Sequence, residues 1–300
     1  MEAALRSVLD QDFTDFELLI GDETGGAESL VTALADPRIG YHRNPTRLGF
    51  SKNHVALLDR ARGRYLTVLH DDDRWKPTYL SRLVSVLDRH GDVGMACCRV
   101  ALDRGAGHTE LWPIPIGPGR HDDLLDEVLA EEWFLLIDAM VWRREVWAGP
   151  AKEWPDLCCG DLQFFLSALE ARWPLYFLDA VLTVYSVHSG QSGAWRGSDS
   201  GLTVADDVLA FWEGWLRGRP EEQVALTALP RARWQLRRAR ALLLSGRTPE
   251  ARTAVAQAEA LGGTDLAGLR KMKLAAALPN RMVRGAVAFK RAVSPRPERG

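Results

Sequence analysis

Three consecutive carboxylates, Asp71, Asp72 and Asp73, follow His70 at the end of the run Tyr65-Leu66-Thr67-Val68-Leu69. The β-branched and aromatic residues of that run predict a strand, which places the acidic tripeptide at its carboxyl end. Adjacent carboxylates repel one another, and a divalent cation offsets that repulsion best. Mn2+ and Mg2+ prefer carboxylate and phosphate oxygens. The competing reading is a solvated acidic turn that also caps the next helix, where Asp is favoured. A further carboxylate, Asp161, follows Gly160 at the head of the helical pattern Leu162, Phe165, Leu166, Leu169. A carboxylate at a helix start beside an apolar face can have its pKa moved in either direction, so geometry decides its use. His188 closes the strand-like segment 175–187, where a lone histidine is often structural.

These groups need a scaffold, and the first 190 residues read as one. Short apolar runs at 16–21, 39–42, 65–69 and 94–98 alternate with helical spacing at 3–9, 52–62 and 77–89. Such β-α-β-α alternation predicts an α/β sheet covered by helices, with ligands beyond the carboxyl ends of the strands. Residues 105–125, rich in Gly and Pro, read as loop; 135–147 reads as a strand leading into a helix start. After about 201 no strand candidates remain. Two helical patterns near 231–262, joined by Gly246-Arg247-Thr248, resemble a single tetratricopeptide-type hairpin. One copy cannot stand alone as a solenoid, so it is expected to pack on the first domain. The expected division is 1–200, an α/β domain, and 201–300, a basic all-helical extension.

Composition narrows the classes. The chain has 300 residues, 46% hydrophobic and 26% charged, with ordinary Gly and Pro content, which excludes fibrous and disordered classes. No apolar stretch reaches the roughly 18–20 residues of a membrane span, and the N-terminus has no secretory apolar region. The cysteines come as two adjacent pairs, Cys97-Cys98 and Cys158-Cys159, without zinc spacing. They read as reduced, core-packed thiols of a cytoplasmic protein. The net charge of −2 conceals a split: residues 217–300 hold 18 Lys/Arg against 6 Asp/Glu, a net +12, which leaves −14 on residues 1–216. In the basic part Arg270, Lys271, Lys273, Arg281 and Arg284 alternate with Leu274, Met282 and Val283. That pattern fits a docked or solvated helix, or peripheral contact with an anionic membrane. No nucleic acid partner is expected, because no recognition motif accompanies the charge.

Four segments, taken in order, resemble glycosyltransferase family 2 of the GT-A fold. They are Ala4-Leu5-Arg6-Ser7-Val8-Leu9 running to Phe16-Glu17-Leu18-Leu19-Ile20-Gly21-Asp22, then Asn44 to Asn53, Ala61 to Tyr65, and Leu69 to Pro77. The resemblance implies a Rossmann-like mixed sheet with helices on both faces. It also implies an inverting transfer of sugar from a nucleotide-diphosphate sugar donor to an acceptor hydroxyl, with Mn2+ or Mg2+. Carried over by motif, Asp22 and Glu23 meet the nucleobase side, and Lys52 and Asn53 open a helix whose dipole favours the diphosphate. Asp71, Asp72 and Asp73 match the acidic motif in an open register. Either His70 stands in its first acidic position, or Asp71-Asp72-Asp73 is itself the D-x-D. Asp73 is the expected metal ligand, helped by Asp71 or Asp72 and by His188, whose segment Tyr185-Ser186-Val187-His188 resembles the family's closing motif. Cys159-Gly160-Asp161 resembles the segment that supplies the general base. Ala139 to Glu145 resembles the strand and turn below the acceptor, with Trp142 and Trp154 as acceptor-side candidates. The family's pattern opens with a strand and turn that precede the match to Met1, so a sheet with a gap or exposed edge is expected. Two other readings stay open: a catalytically impaired relative acting as a binding module, and a sugar nucleotidyltransferase.

Overall fold

Alternating apolar runs become alternating elements in the computed structural model, which describes residues 1–105, 109–131, 135–149, 157, 159–188, 198–262 and 266–278. The order is α1 (Glu2–Leu9), β1 (Leu18–Asp22), α2 (Glu28–Leu34), β2 (Ile39–Arg43), α3 (Phe50–Arg60), β3 (Tyr65–Thr67), β4 (Arg74–Trp75), α4 (Tyr79–Arg89) and β5 (Met95–Asp103). There follow β6 (Thr109–Leu111), β7 (Gly119–His121), α5 (Leu125–Glu131), a 3-10 turn (Ile137–Ala139), β8 (Met140–Arg143), α6 (Arg144–Trp147), α7 (Gly160–Glu170) and β9 (Leu175–Ser186). The remainder is helical: α8 (Ser198–Trp215), α9 (Glu221–Leu226), α10 (Ala228–Leu244), α11 (Thr248–Gly262) and α12 (Leu269–Ala277). The chain divides into two compact units, one of Met1–Val128 with Trp133–Ser189, the other of Leu129–Glu132 with Gly190–Gly300.

The first unit holds a seven-stranded mixed sheet with the path β3-β8-β5-β9-β4, to which β6 joins on β5 and β7 on β9. β5 and β9 run parallel, whereas β3–β8, β5–β8 and β4–β9 are antiparallel. β5 is buried along almost its whole length, as a central strand covered on both faces requires. α4 packs Tyr79, Leu80, Leu83, Val86 and Leu87 into the same core. Cys97 and Cys98 are buried, free thiols of β5, as expected, and Cys159 is buried; Cys158 lies outside the described residues.

Two features differ from the sequence reading. Residues 105–125 are not all loop, since β6 and β7 pair there with β5 and β9. Each is only three residues long, and neighbouring strand edges rather than apolar alternation specify them. Secondly, β1 and β2 form a separate two-stranded parallel sheet. Leu18, Leu19, Ile20 and Ile39 are only half-buried in it, in contrast to β5.

In the second unit α10 and α11 form a helical hairpin. Ala232, Leu236, Ala239 and Leu242 pack with Ala251, Ala254, Val255 and Ala258, and Leu269 and Ala276 of α12 complete that core. The alanines allow the helices to approach closely.

Candidate active site

Strand pairing explains which side chains meet. In the β3–β8 ladder Thr67 faces Val141, and three further steps along the same register set residue 70 opposite residue 138. The contact forms there: His70 N–H donates to Asp138 Oδ1 at 2.6 Å, and His70 Nδ1 faces Asp138 Oδ2 at 2.9 Å. The second ladder, β4 with β9, pairs Arg74 with Val184 and brings the end of β9 back along residues 70–73. Asp73 Oδ1 accepts the Ser186 N–H at 2.8 Å, and His188 Nε2 lies 3.0 Å from Asp72 Oδ2. The Asp138 carbonyl is fixed in turn by Trp75 Nε1 at 2.7 Å and Thr183 Oγ1 at 3.1 Å. Asp138 was not expected from the sequence. Its signal there is a lone acid inside the apolar run Leu135-Leu136-Ile137-Asp138-Ala139-Met140. Buried charge of that kind is retained only with a partner.

His70, Asp73 and Asp138 each offer one ligand atom, and the three atoms lie within 4.8 Å of one another. Asp73 and Asp138 are fully buried; Asp73 Oδ2 has no hydrogen-bond partner, whereas Asp138 Oδ2 faces His70 Nδ1. Two carboxylates and an imidazole facing one point fit a divalent cation that accepts mixed N and O ligands and displaces the imidazole proton on binding. Burial alone would lower the His70 pKa; Asp138, followed by Asp73 and Asp161, outweighs it and holds the value up to about 9. Burial, then the neighbouring Asp138, pushes the Asp73 carboxyl upward. Asp161, in the first turn of α7, is raised to about 6 by burial with Asp138 adding, against the opposing pull of His70 and the Leu162 N–H. The Asp161 carboxylate therefore shares the electrostatic environment of the His70 cluster. Across from it, the rings of Phe50 and His54 at the start of α3 lie 5.4 and 5.5 Å from the His70 ring. Burial and the His70 charge lower the His54 pKa to about 4, so this ring is neutral beside a cationic one.

The structure therefore distributes the expected metal set differently. Asp73 joins His70 and Asp138, His188 pairs with Asp72, and Asp71 is exposed. The donor-side residues do structural work. The Asp22 carboxylate accepts the N–H groups of Thr24, Gly25 and Ala27 and the hydroxyls of Thr24 and Tyr41. Those bonds hold its pKa far below the usual range despite burial. Glu23 Oε1 accepts the N–H groups of Leu48 and Gly49, both at 2.7 Å, so a carboxylate already sits ahead of the α3 N-terminus. Asn53 ties α3 to β1 by donating to the Gly21 carbonyl at 3.0 Å while accepting from Asn44. A side chain at Gly21 would collide with Asn53 Oδ1 at 2.3 Å, so this close approach needs glycine. Lys52 is exposed on the first turn of α3. Trp142 is corrected: it lies fully buried in β8 against Phe164, a core ring out of an acceptor's reach. Trp154 lies outside the described residues.

A mixed sheet with an acidic cluster at its strand ends is the architecture of GT-A glycosyltransferases, and the solved structures agree. S. aureus TarS 1-349 superposes with a TM-score of 0.59 at 15% identity, covering 98% of this chain and 88% of that one. The mannosyltransferase PcManGT from Pyrobaculum calidifontis, solved with GDP-Man and Mn2+, gives 0.56 at 19% identity, covering 97% and 81%. Likeness at such identity shows the fold. Residues 1–144, just under half of the chain, match the profile of Glycosyl transferase family 2. WcaA of Escherichia coli (strain K12), named as a colanic acid biosynthesis glycosyl transferase, is 38% identical over 82 residues, 26% of this chain and 29% of that protein. A GalNAc(5)-diNAcBac-PP-undecaprenol beta-1,3-glucosyltransferase of Campylobacter jejuni is 35% identical over 89 residues, 28% of this chain and 29% of that protein. The matches therefore span under a third of each relative.

Proposed function

We propose that this chain is an inverting, metal-dependent glycosyltransferase that moves a sugar from a nucleotide-diphosphate donor to an acceptor hydroxyl. The observation that carries the reading is Asp161: a carboxyl raised to about 6 by burial, in the same electrostatic environment as the buried His70, Asp73 and Asp138. A base whose pKa approaches the working pH removes a proton better than an ordinary aspartate and is still ionised near neutrality. Asp161 takes the acceptor proton as the hydroxyl attacks the anomeric carbon from the face opposite the diphosphate. Asp73 and Asp138, with His70, would hold Mn2+ or Mg2+, which would supply positive charge to the leaving diphosphate. Asp72, paired with His188, and the exposed Asp71 adjoin Asp73 in the chain and would add negative charge beside that position. Asp22, Glu23 and Asn53 shape the donor side through the turns they fix, and Lys52 adds a cation there. Support comes from the family match and from neighbours solved with UDP and with GDP-Man and Mn2+.

Isothermal calorimetry against a panel of UDP-, GDP- and dTDP-sugars tests the reading. At least one donor is expected to bind with Mn2+ present and to lose most of its affinity when EDTA is added. Asp161→Asn is expected to keep that affinity and to lower turnover by about 10²–10⁴-fold. Failure of every donor to bind, or full turnover in Asp161→Asn, overturns the assignment.

A further inference from the structure

The solvent crest of α12 is apolar where a solvated helix would carry charge. Leu269 and Ala276, with half-buried Met272, form the stripe that α12 packs into the α10–α11 core. At 100° per residue the opposite side carries Leu274 and, at the helix C-cap, Leu278, which are 72% and 41% exposed. Arg270 and Lys271 are exposed on the two flanks of that crest. Lys273, nearer the buried stripe, is paired with Glu259 of α11 at 2.5 Å. The 22 residues that follow Leu278 in the sequence hold six Lys/Arg against one Glu.

Leucines at the crest and cations on the flanks match the cross-section of a bilayer interface. Apolar side chains enter the acyl boundary while Lys and Arg meet anionic headgroups. A second copy of the chain is the poorer fit. A two-fold contact through this crest would bring Arg270 and Lys271 of one chain against the same cations of the other. We propose that the exposed face of α12 docks on the surface of an anionic lipid bilayer. The contact is one of lying on the membrane: among the described residues no helix is long and apolar enough to cross one.

Vesicle flotation of the full chain tests this, with phosphatidylcholine alone and with phosphatidylcholine and phosphatidylglycerol at about 2:1. The wild type is expected to float with the anionic vesicles only and to be released by salt. The double variants Arg270→Glu/Lys271→Glu and Leu274→Ser/Leu278→Ser are each expected to lower partitioning roughly tenfold or more. Because all four side chains are exposed, both variants should melt like wild type by circular dichroism. Absence of flotation, equal flotation with neutral vesicles, or wild-type partitioning by either variant overturns the proposal. So does a dimer seen by light scattering that Leu274→Ser/Leu278→Ser dissolves while vesicle binding is absent.

Discussion

Asp138 organises the centre of the site. It holds His70 by both backbone and ring, and its own carbonyl is held by Trp75 and Thr183. The pairing has a consequence for stability that can be signed. Against the lowering effect of burial, Asp138, Asp73 and Asp161 raise the His70 pKa from 6.5 to about 9. A histidine raised on folding contributes stability that is complete below its unfolded pKa and is lost as pH rises through the folded one. Asp73 acts in the same sense, because a carboxyl raised on folding also costs stability as it ionises. The thermal midpoint of the metal-free protein is therefore expected to fall between about pH 6.5 and 9, and to fall less in His70→Gln. Differential scanning fluorimetry in EDTA reads both slopes; parallel slopes for the two proteins would mean that His70 carries no charge to lose. Legibility at this site followed chain proximity. Asp71 to Asp73 and Asp161 stand out in the sequence as acids at element ends. Asp138 meets His70 only through a strand register formed across 68 residues, and no local pattern announces such a register.

The two arginines where β8 passes into α6 show how elements are fastened around the sheet. Arg143 is buried and donates to the carbonyls of Val93, Leu87 and His90, filling the negative C-terminal end of α4. Arg144 reaches the carbonyls of Ala61 and Gly63, where α3 gives way to β3. Arg143→Met keeps the apolar stem but strands buried carbonyls, so a loss of about 2–4 kcal/mol is expected. Arg144→Met leaves carbonyls that water can reach, and a loss under about 1 kcal/mol is expected. Urea unfolding of the two variants checks the contrast; equal losses would remove the burial argument. The resemblance reads these arginines as part of a strand and turn; the structure ends β8 at Arg143 and begins α6 at Arg144, and nothing in the sequence hints at their partners. The elements around them were readable wherever periodicity was strong, as in α4, β5 and α7. β6 and β7 were not, since strands of three residues take their identity from the edges they join.

The split of charge between an acidic body and a basic extension corresponds to a split of cores. The first unit buries Tyr79, Leu83, Leu87 and β5 around the sheet, and the second closes Leu242, Ala254 and Ala258 between its own helices. Every described residue assigned to donor, metal or base lies in the first unit. The helical core should therefore bear on overall stability without setting donor affinity. Leu242 is fully buried in α10, and Leu242→Ala opens a cavity there worth about 2–5 kcal/mol. The expected outcome is a lowered melting transition for the helical unit, with the calorimetric affinity for the bound nucleotide sugar and Mn2+ unchanged. Asp138→Asn is expected to do the reverse, since it removes a carboxylate proposed to hold the metal in the first unit while leaving the α10–α11 packing untouched. Scanning calorimetry with and without donor separates the two. A saturating ligand adds stability only to the transition of the fold that binds it. If Leu242→Ala weakened donor binding as strongly as Asp138→Asn, the donor site would depend on both units, and the assignment of binding to the sheet alone would fail.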